Sequence, residues 1–478
     1  MLHWVAEKNQ QTICLLFVMF ATLGSALADD LPIAVANLWP DPLVADPAVL
    51  RNGQGGQGIC PSSIDVNAPL TLGKAVDIAL CNNAQIRAAW TEIKIETAGV
   101  GSARSAYLPT LNATYSPQVT KTQYPAFPAA NTEVNGHADA INFAWRLFDF
   151  GARNHQLEAA NQALLAAIDA HDAAIQKALL TLVGSYYEAF TNKAIYDARS
   201  EESRLAEQTL QATRNREHKG VAQLSDSLQA QTALAKAELE QQRALGDYRK
   251  SVSMLLYNMG VQSYALDILF PDDLNAPQPE LLGDLQLWLK SAEQNHPAIR
   301  QAEASYEAAR EKATATALAG YPTVDLYYNY YQNGFPNQGL QSTGSNISMW
   351  GVTFTLPLFD GFANHYKVRA AEAQAEQSRI QLDDARQQVA AEVIKDYADA
   401  ISALNNLQAS QNLVDAAIAS NQSSQRRYDH GAADILELIN TQAALADARQ
   451  ERIRTLAEWQ AARLKLLAAV GILDRSGL

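Results

Sequence analysis

Two stretches of this chain leave no room for a turn. From about Gly151 to His218, and again from about Ala363 to His430, there is no proline and no cluster of turn-forming residues. At ~1.5 Å per residue each stretch would run on the order of 100 Å as a helix. Val389, Val393, Tyr397, Ile401 and Leu404 recur at steps of three and four, and Leu438, Leu445, Trp459 and Leu466 share one heptad position. Alanine fills much of the remainder, a pattern of close coiled-coil packing. Helices of this length do not fit inside a compact globule, so they build a rod or a tube. Each stretch ends at a glycine, "EHKGVAQLSD" around Gly220 and "YDHGAADILE" around Gly431. Glycine suits the left-handed position that follows a helix end. Asp434 with Glu437 forms an Asp-x-x-Glu helix start. Two helical hairpins are predicted, each with its tip far from the rest.

Ahead of each long stretch lie two segments with period-2 alternation. In 350–358, Trp350, Val352, Phe354, Leu356 and Leu358 oppose Gly351, Thr353, Thr355 and Pro357. In 323–331, Val324, Leu326, Tyr328 and Tyr330 oppose Thr323, Asp325, Tyr327, Asn329 and Tyr331. Segment 110–120 sets Leu111, Tyr115 and Val119 against Thr, Asn, Ser and Gln. Segment 138–147 sets Ile141, Phe143, Trp145 and Leu147 against Ala140, Asn142, Ala144 and Arg146. Such strands have one apolar and one polar face. A soluble sandwich alternates in the same way. Strands of ~10 residues rich in Trp and Tyr also match tilted membrane strands with interfacial girdles. The connections 122–135 and 332–346 are polar, contain Pro or Gly, and suit long external loops.

The two halves are copies. "YLPTLNATY" at 107–115 matches "GYPTVDLYY" at 320–328 at an offset of 213. "LFDF" at 147–150 matches "LFDG" at 358–361 at an offset of 211, as do Gly220 with Gly431 and Gly260 with Gly471. A constant spacing over this length is the signature of duplication. The expected organisation is a signal peptide at 1–28, an extended arm at 29–68 and a first repeat at 69–270. A linker at 271–283, a second repeat at 284–471 and a tail at 472–478 follow. Each repeat reads as helix, strand, strand, long helix, turn, helix. The strands are placed at ~108–121, ~136–149, ~321–332 and ~346–360.

The apolar run Ile13–Leu23, followed by Ala26-Leu27-Ala28, has the form of an export signal with its cleavage site. It is too short to span a membrane. Cleavage would remove Cys14 and leave Cys60 and Cys81, which could form a disulfide in an oxidising compartment or stay as free thiols. With 51 acidic and 37 basic residues the net charge is -14, which argues against nucleic acid as a partner. No metal, nucleotide or nucleophile motif stands out, and no cofactor or enzymatic activity is expected.

Four membrane strands cannot close a barrel, and open edges are not tolerated in lipid. Several chains must therefore share one. Two would give eight strands with a nearly filled interior, and three would give twelve with a water-filled bore. Asp149–Gly151 and Asp360–Gly361 are the joints where strand passes into helix, with glycine permitting the bend. The rival to a conduit is a soluble periplasmic coiled-coil protein with a β-domain.

The duplicated "YLPTL" and "LFD-Gly" blocks, the two tip glycines and the terminal "LLAAVG" resemble the TolC-like outer-membrane factor family across nearly all of the mature chain. The early block "CPSSID…LTLGKAVDIALCNNAQIR" is most similar to its type I secretion branch. The resemblance implies an α+β membrane protein: a homotrimer with one twelve-stranded outer-membrane β-barrel, four strands per chain, continued by a periplasmic helical barrel of long coiled-coil helices. It places the protein in the outer membrane of a Gram-negative bacterium. A periplasmic adaptor and an inner-membrane pump, either an ABC transporter or a proton-driven one, are the implied partners. The implied role is the exit duct of type I protein secretion or, alternatively, of multidrug efflux. Matching the family's tip glycine to Gly431 puts its acidic gate rings at Glu437 and at Asn440, which is not acidic. Tyr428 matches a gate tyrosine, while the arginine expected near 433 is Ala433. The repeat sets Asp226 opposite Glu437, and Glu437 equally suits a plain helix-capping role. Adaptor contact is implied at Lys219, Gly220 and Val221 and at His430, Gly431 and Ala432.

Overall fold

The computed structural model describes residues 68–261, 267–271, 283–333, 340 and 344–471. The expected signal peptide, all but the last residue of the arm, most of the linker and the tail lie outside them, as does Cys60. In the first repeat the chain runs α1 (Leu72–Asn82), α2 (Ala84–Ser105), β1 (Thr110–Thr122), β2 (Thr132–Phe148), α3 (Ala152–His218) and α4 (Leu224–Asn258). The second repeat runs α5 (Leu285–Asn295), α6 (Pro297–Leu318), β3 (Thr323–Gln332), β4 (Asn346–Thr355), α7 (Ala363–Asp429) and α8 (Ile435–Ala469). Both long helices, α3 and α7, have 67 residues.

The single helix expected ahead of each strand pair is two helices. Asn83 ends α1 and starts α2: its side-chain oxygen accepts from the N–H groups of Gln85 and Ile86 at 2.9 and 3.4 Å. His296 does the same for α6, with Nδ1 accepting from the N–H of Ala298 at 3.2 Å and Pro297 at the first helical position. Both are standard helix starts. Their polar side chains compete with the helix ladder, which the apolar periodicity alone does not register. Cys81, near the end of α1, is disulfide-bonded; its expected partner Cys60 lies outside the described residues.

The strands form one antiparallel sheet in the order β1-β2-β3-β4. The duplicated hairpins therefore meet at β2–β3, and β1 and β4 are edges. Strand limits differ from expectation. β2 starts at Thr132 rather than ~136, which shortens the first loop around a 3-10 turn at Pro128–Ala130. β4 stops at Thr355 rather than ~360. Pro357 follows, and it has no N–H to extend the ladder. The register aligns Leu111, Phe143, Tyr328 and Trp350 in one row on one face. On the other face it aligns Asn112, Asn142 and Asn329. The pairing steps from Arg146–Asp325 to Phe148–Val324, so Leu147 is the unpaired residue of a β-bulge and Phe148 takes the next place beside Val324. The apolar row has no cover within the chain: Trp350 is 79% exposed and Leu111 69%.

At each joint two consecutive residues adopt the left-handed conformation, Phe150–Gly151 and Gly361–Phe362. A phenylalanine there costs about 1–2 kcal/mol, so the bend is not a matter of glycine alone. Phe150 packs on Phe148 and Tyr321, and Phe362 on Phe359. Asp149 accepts from the N–H groups of Gly151 and Arg153, and Asp360 from that of Asn364 at 2.7 Å. Both joint aspartates thus satisfy open N–H groups at the start of a long helix. Arg153 straps the first joint. Its guanidinium meets Asp149 at 2.7 Å and donates to the carbonyls of Arg146 and Ala106.

The largest core lies midway along the long helices. There α1 (Val76, Ala79) packs with Leu179, Leu182 and Tyr186 of α3, with Tyr248, Val252 and Leu255 of α4, and with Leu464 of α8. Its counterpart joins Ala292 of α5 and Ile299 of α6 to Val389 and Val393 of α7. Trp459 of α8, fully buried, packs against Ala400, Ala403 and Leu407. The short helices thus brace the long ones at mid-length and leave the hairpin ends held by local contacts. No helix among the described residues is long and apolar enough to cross a membrane.

Candidate functional site: the hairpin tips

Both tips close with the same backbone device. Gly220, at φ 72, donates to Glu217 at 2.8 Å and Val221 donates to Arg216 at 2.9 Å. Gly431, at φ 73, donates to Tyr428 at 3.0 Å and Ala432 donates to Arg427 at 2.7 Å. These are Schellman closures, in which glycine carries the left-handed residue. Lys219, Gly220, Val221, His430, Gly431 and Ala432 are all exposed. The tips are thus open to a partner, and their backbone donors are already used.

The next helices start differently. Before α4, Gln223 and Asp226 form a full capping box, with the Asp226 carboxylate accepting from the N–H of Gln223 at 3.2 Å. Before α8, Asp434 accepts from the N–H of Glu437 at 2.8 Å, but the Glu437 carboxylate does not return to the cap. Oδ1 of Asp434 completes the cap alone. Oε1 of Glu437 instead accepts from Ser424 Oγ at 2.8 Å and Arg427 Nη1 at 2.9 Å, both on α7. Glu437 therefore bridges the two arms of its own hairpin, while Asp226 is a capping acid. Asn440 is exposed, facing the same groove as Asn421 and Gln425.

Tyr428 is where the hairpins meet. It is buried with Ile435 and Leu438 and packs against Ala433. Its hydroxyl lies 3.2 Å from Thr213 Oγ1 of α3. Its carbonyl accepts from Arg216 Nη1 at 3.1 Å, and the same guanidinium sits 4.7 Å from its ring centroid. A cation at the carboxyl end of α7 also meets the negative end of the helix dipole. The arginine missing at Ala433 is thus matched by one arriving from the opposite hairpin. Sequence reading overlooked Arg216, Thr213, Ser424 and Arg427. The repeat held the signal, since Arg216 aligns with Arg427 and Thr213 with Ser424 at the offset of 211. Higher up, Arg199 of α3 bonds Asp447 at 3.1 Å and Gln450 at 2.6 Å on α8, and Gln442 donates to Thr209. Polar links between the hairpins thus run from residue 199 to the tip, all from α3. Among the described residues no group of His, Cys, Asp and Glu is placed to hold a metal ion.

A family model described as "Outer membrane efflux protein" matches residues 75–260 and 288–472, one match per repeat. The chain belongs to the outer membrane efflux protein family. Members are outer-membrane channels rather than enzymes, and this protein is an outer-membrane protein of that kind. Protein CyaE of Bordetella pertussis is 34% identical over 441 residues, 91% of each chain. Alkaline protease secretion protein AprF of Pseudomonas aeruginosa is 20% identical over 84% of each. The Campylobacter jejuni CmeC outer membrane channel superposes with a TM-score of 0.74, covering 87% of this chain and 92% of that one at 16% identity. The likeness shows that the two chains share one fold.

Proposed function

We propose that this protein is the exit duct of a tripartite export system, most like one for type I protein secretion. Three copies would join β4 of one to β1 of the next, making a twelve-stranded barrel with the helices prolonging it into the periplasm. The observation that carries this is the four-stranded sheet with two open edges and an uncovered apolar row. Neither edge is stable in lipid until another copy pairs with it. The role is passive: cargo passes through, and the periplasmic end is the part that opens. The Thr213–Tyr428–Arg216 contacts would hold that end shut, Glu437 would stiffen the second hairpin behind it, and Asn440 and Asp226 would lie alongside. An adaptor binding the exposed tips would separate the hairpins.

Protein cargo is favoured by the extent of likeness to CyaE and by AprF, whose name states that it serves alkaline protease secretion. Small-molecule efflux is the second reading, favoured by the family's own description. Co-expression with a type I ABC transporter, its adaptor and a repeat-containing polypeptide decides between them. Polypeptide in the medium that depends on this protein is the expected result. Restored drug tolerance without polypeptide export would select efflux instead.

A further inference from the structure

On the face of the sheet opposite the apolar row, the described strands present threonine, asparagine, serine, glutamine, alanine, glycine and tyrosine, with Val134, Ile347 and Met349 as the apolar members and two charged exceptions. Arg146 of β2 and Asp325 of β3 are directly paired in register, with Arg146 Nε 2.9 Å from Asp325 Oδ1. The other charged or protonatable His, Lys, Asp and Glu side chains of the described strands, Lys121, Glu133, His137 and Asp139, fall on the opposite row. Arg146 and Asp325 are 47% and 29% exposed, so they face open space and not a core. Their row is the last regular one before the bulge at Leu147, at the helix end of the sheet. Neither charge is duplicated: at the repeat offsets Pro357 stands for Arg146 and Asn112 for Asp325. A chain that repeats its architecture has therefore placed one cation and one anion, together, at a single height.

We infer that Arg146 and Asp325 form a charge-balanced ring at the inner mouth of the barrel, in which each charge cancels the ion preference the other would impose. The inference rests on the trimeric barrel reading, which turns one pair into three around a bore. Rings of side-chain charge govern which ions enter a pore, because the low-dielectric wall focuses their field. A close pair cancels its own field at a distance, so the mouth as built favours neither sign and passes chain segments of either charge. Removing one partner unmasks the other three times over. Further charges line a cavity of about 480 Å³ at the joints, which Arg146 also borders. Of these, Arg153 is held by Asp149, and Lys367 and Asp360 are again of opposite sign.

The test is the reversal potential of single channels in planar bilayers under a KCl gradient. Asp325→Asn should shift the cation-to-anion permeability ratio toward anions by roughly twofold or more. Arg146→Gln should shift it toward cations by a similar factor. The double variant should return to the parent value, and Arg146→Lys should keep it. A purely structural role at the β2–β3 junction would lower thermal stability in each single variant and leave selectivity unmoved. Parent-like reversal potentials in either single variant would overturn the inference. A parent protein that inserts no channel would instead bring down the barrel reading beneath it.

Discussion

At Gly220 and Gly431 the chain makes the same turn, and four residues before each stands an arginine. Arg427 folds back onto Glu437 and braces its own hairpin. Arg216 leaves its hairpin and clasps Tyr428 of the other. Thr213 and Ser424 divide in the same way, the first reaching Tyr428 and the second Glu437. The neighbours decide the outcome. Where the second repeat has Tyr428 the first has Glu217, and where the second has Glu437 the first has the shorter Asp226, already closed into its capping box. Duplication supplied the arginine and the hydroxyl twice. Divergence made one set internal and the other a link between hairpins.

Arg216→Ala should break that division most. It removes a charge-assisted hydrogen bond and a cation–π contact, together worth about 2 kcal/mol. The ratio of closed to open tips should fall roughly thirtyfold, read as higher conductance in planar bilayers. Arg427→Ala should leave conductance near the parent value, since the inter-hairpin contacts persist. Equal effects from the two would erase the distinction between the tips.

A second contrast lies at mid-length. Asp396 of α7 is buried where the first repeat has Ser185. Burial, first, and the nearby Glu392 raise its carboxyl above the usual range; Lys395 and Lys465 pull the other way and Asp399 adds to the rise. A carboxyl raised on folding adds stability when protonated and loses it as pH rises through the folded value. Asp396→Asn should therefore raise the melting temperature near pH 7 by a few degrees, with the gain vanishing toward acid pH. A pH-independent gain would assign the effect to packing. His296 runs opposite. Burial, and next Arg300, lower its imidazole below the usual range, so the cap on α6 weakens as pH falls. His296→Asn, which copies Asn83 of the first repeat, should flatten that acid limb in a melting series.

The smallest effects belong to the caps. Asp226→Asn should cost about 1 kcal/mol at most, because the Gln223 half of the box survives. Glu437→Gln should cost a similar amount and also free Arg427. A tip spectroscopic label would register the second and not the first.

Much of this is legible in the sequence. Length without proline gave the long helices, alternation gave the strands, and the repeated blocks gave the tips and joints. The missing parts have physical reasons. The break at Asn83 is written in a side chain that competes with the backbone, and the apolar pattern runs through it undisturbed. The bulge at Leu147 depends on pairing with β3, far along the chain. Arg216 and Tyr428 are 212 residues apart, and no local periodicity joins them. The sequence leaves Glu437 open between gate and cap. Its carboxylate serves neither cap nor neighbouring hairpin here, because Ser424 and Arg427 lie within reach one turn back on α7.

The most direct measurement is electron-microscopic imaging of the purified full-length protein in detergent. A threefold particle with an unbroken axial channel running from barrel into helices is the expected result. A monomer, or a rod with no central passage, would contradict the idea that separate chains complete one another's sheet.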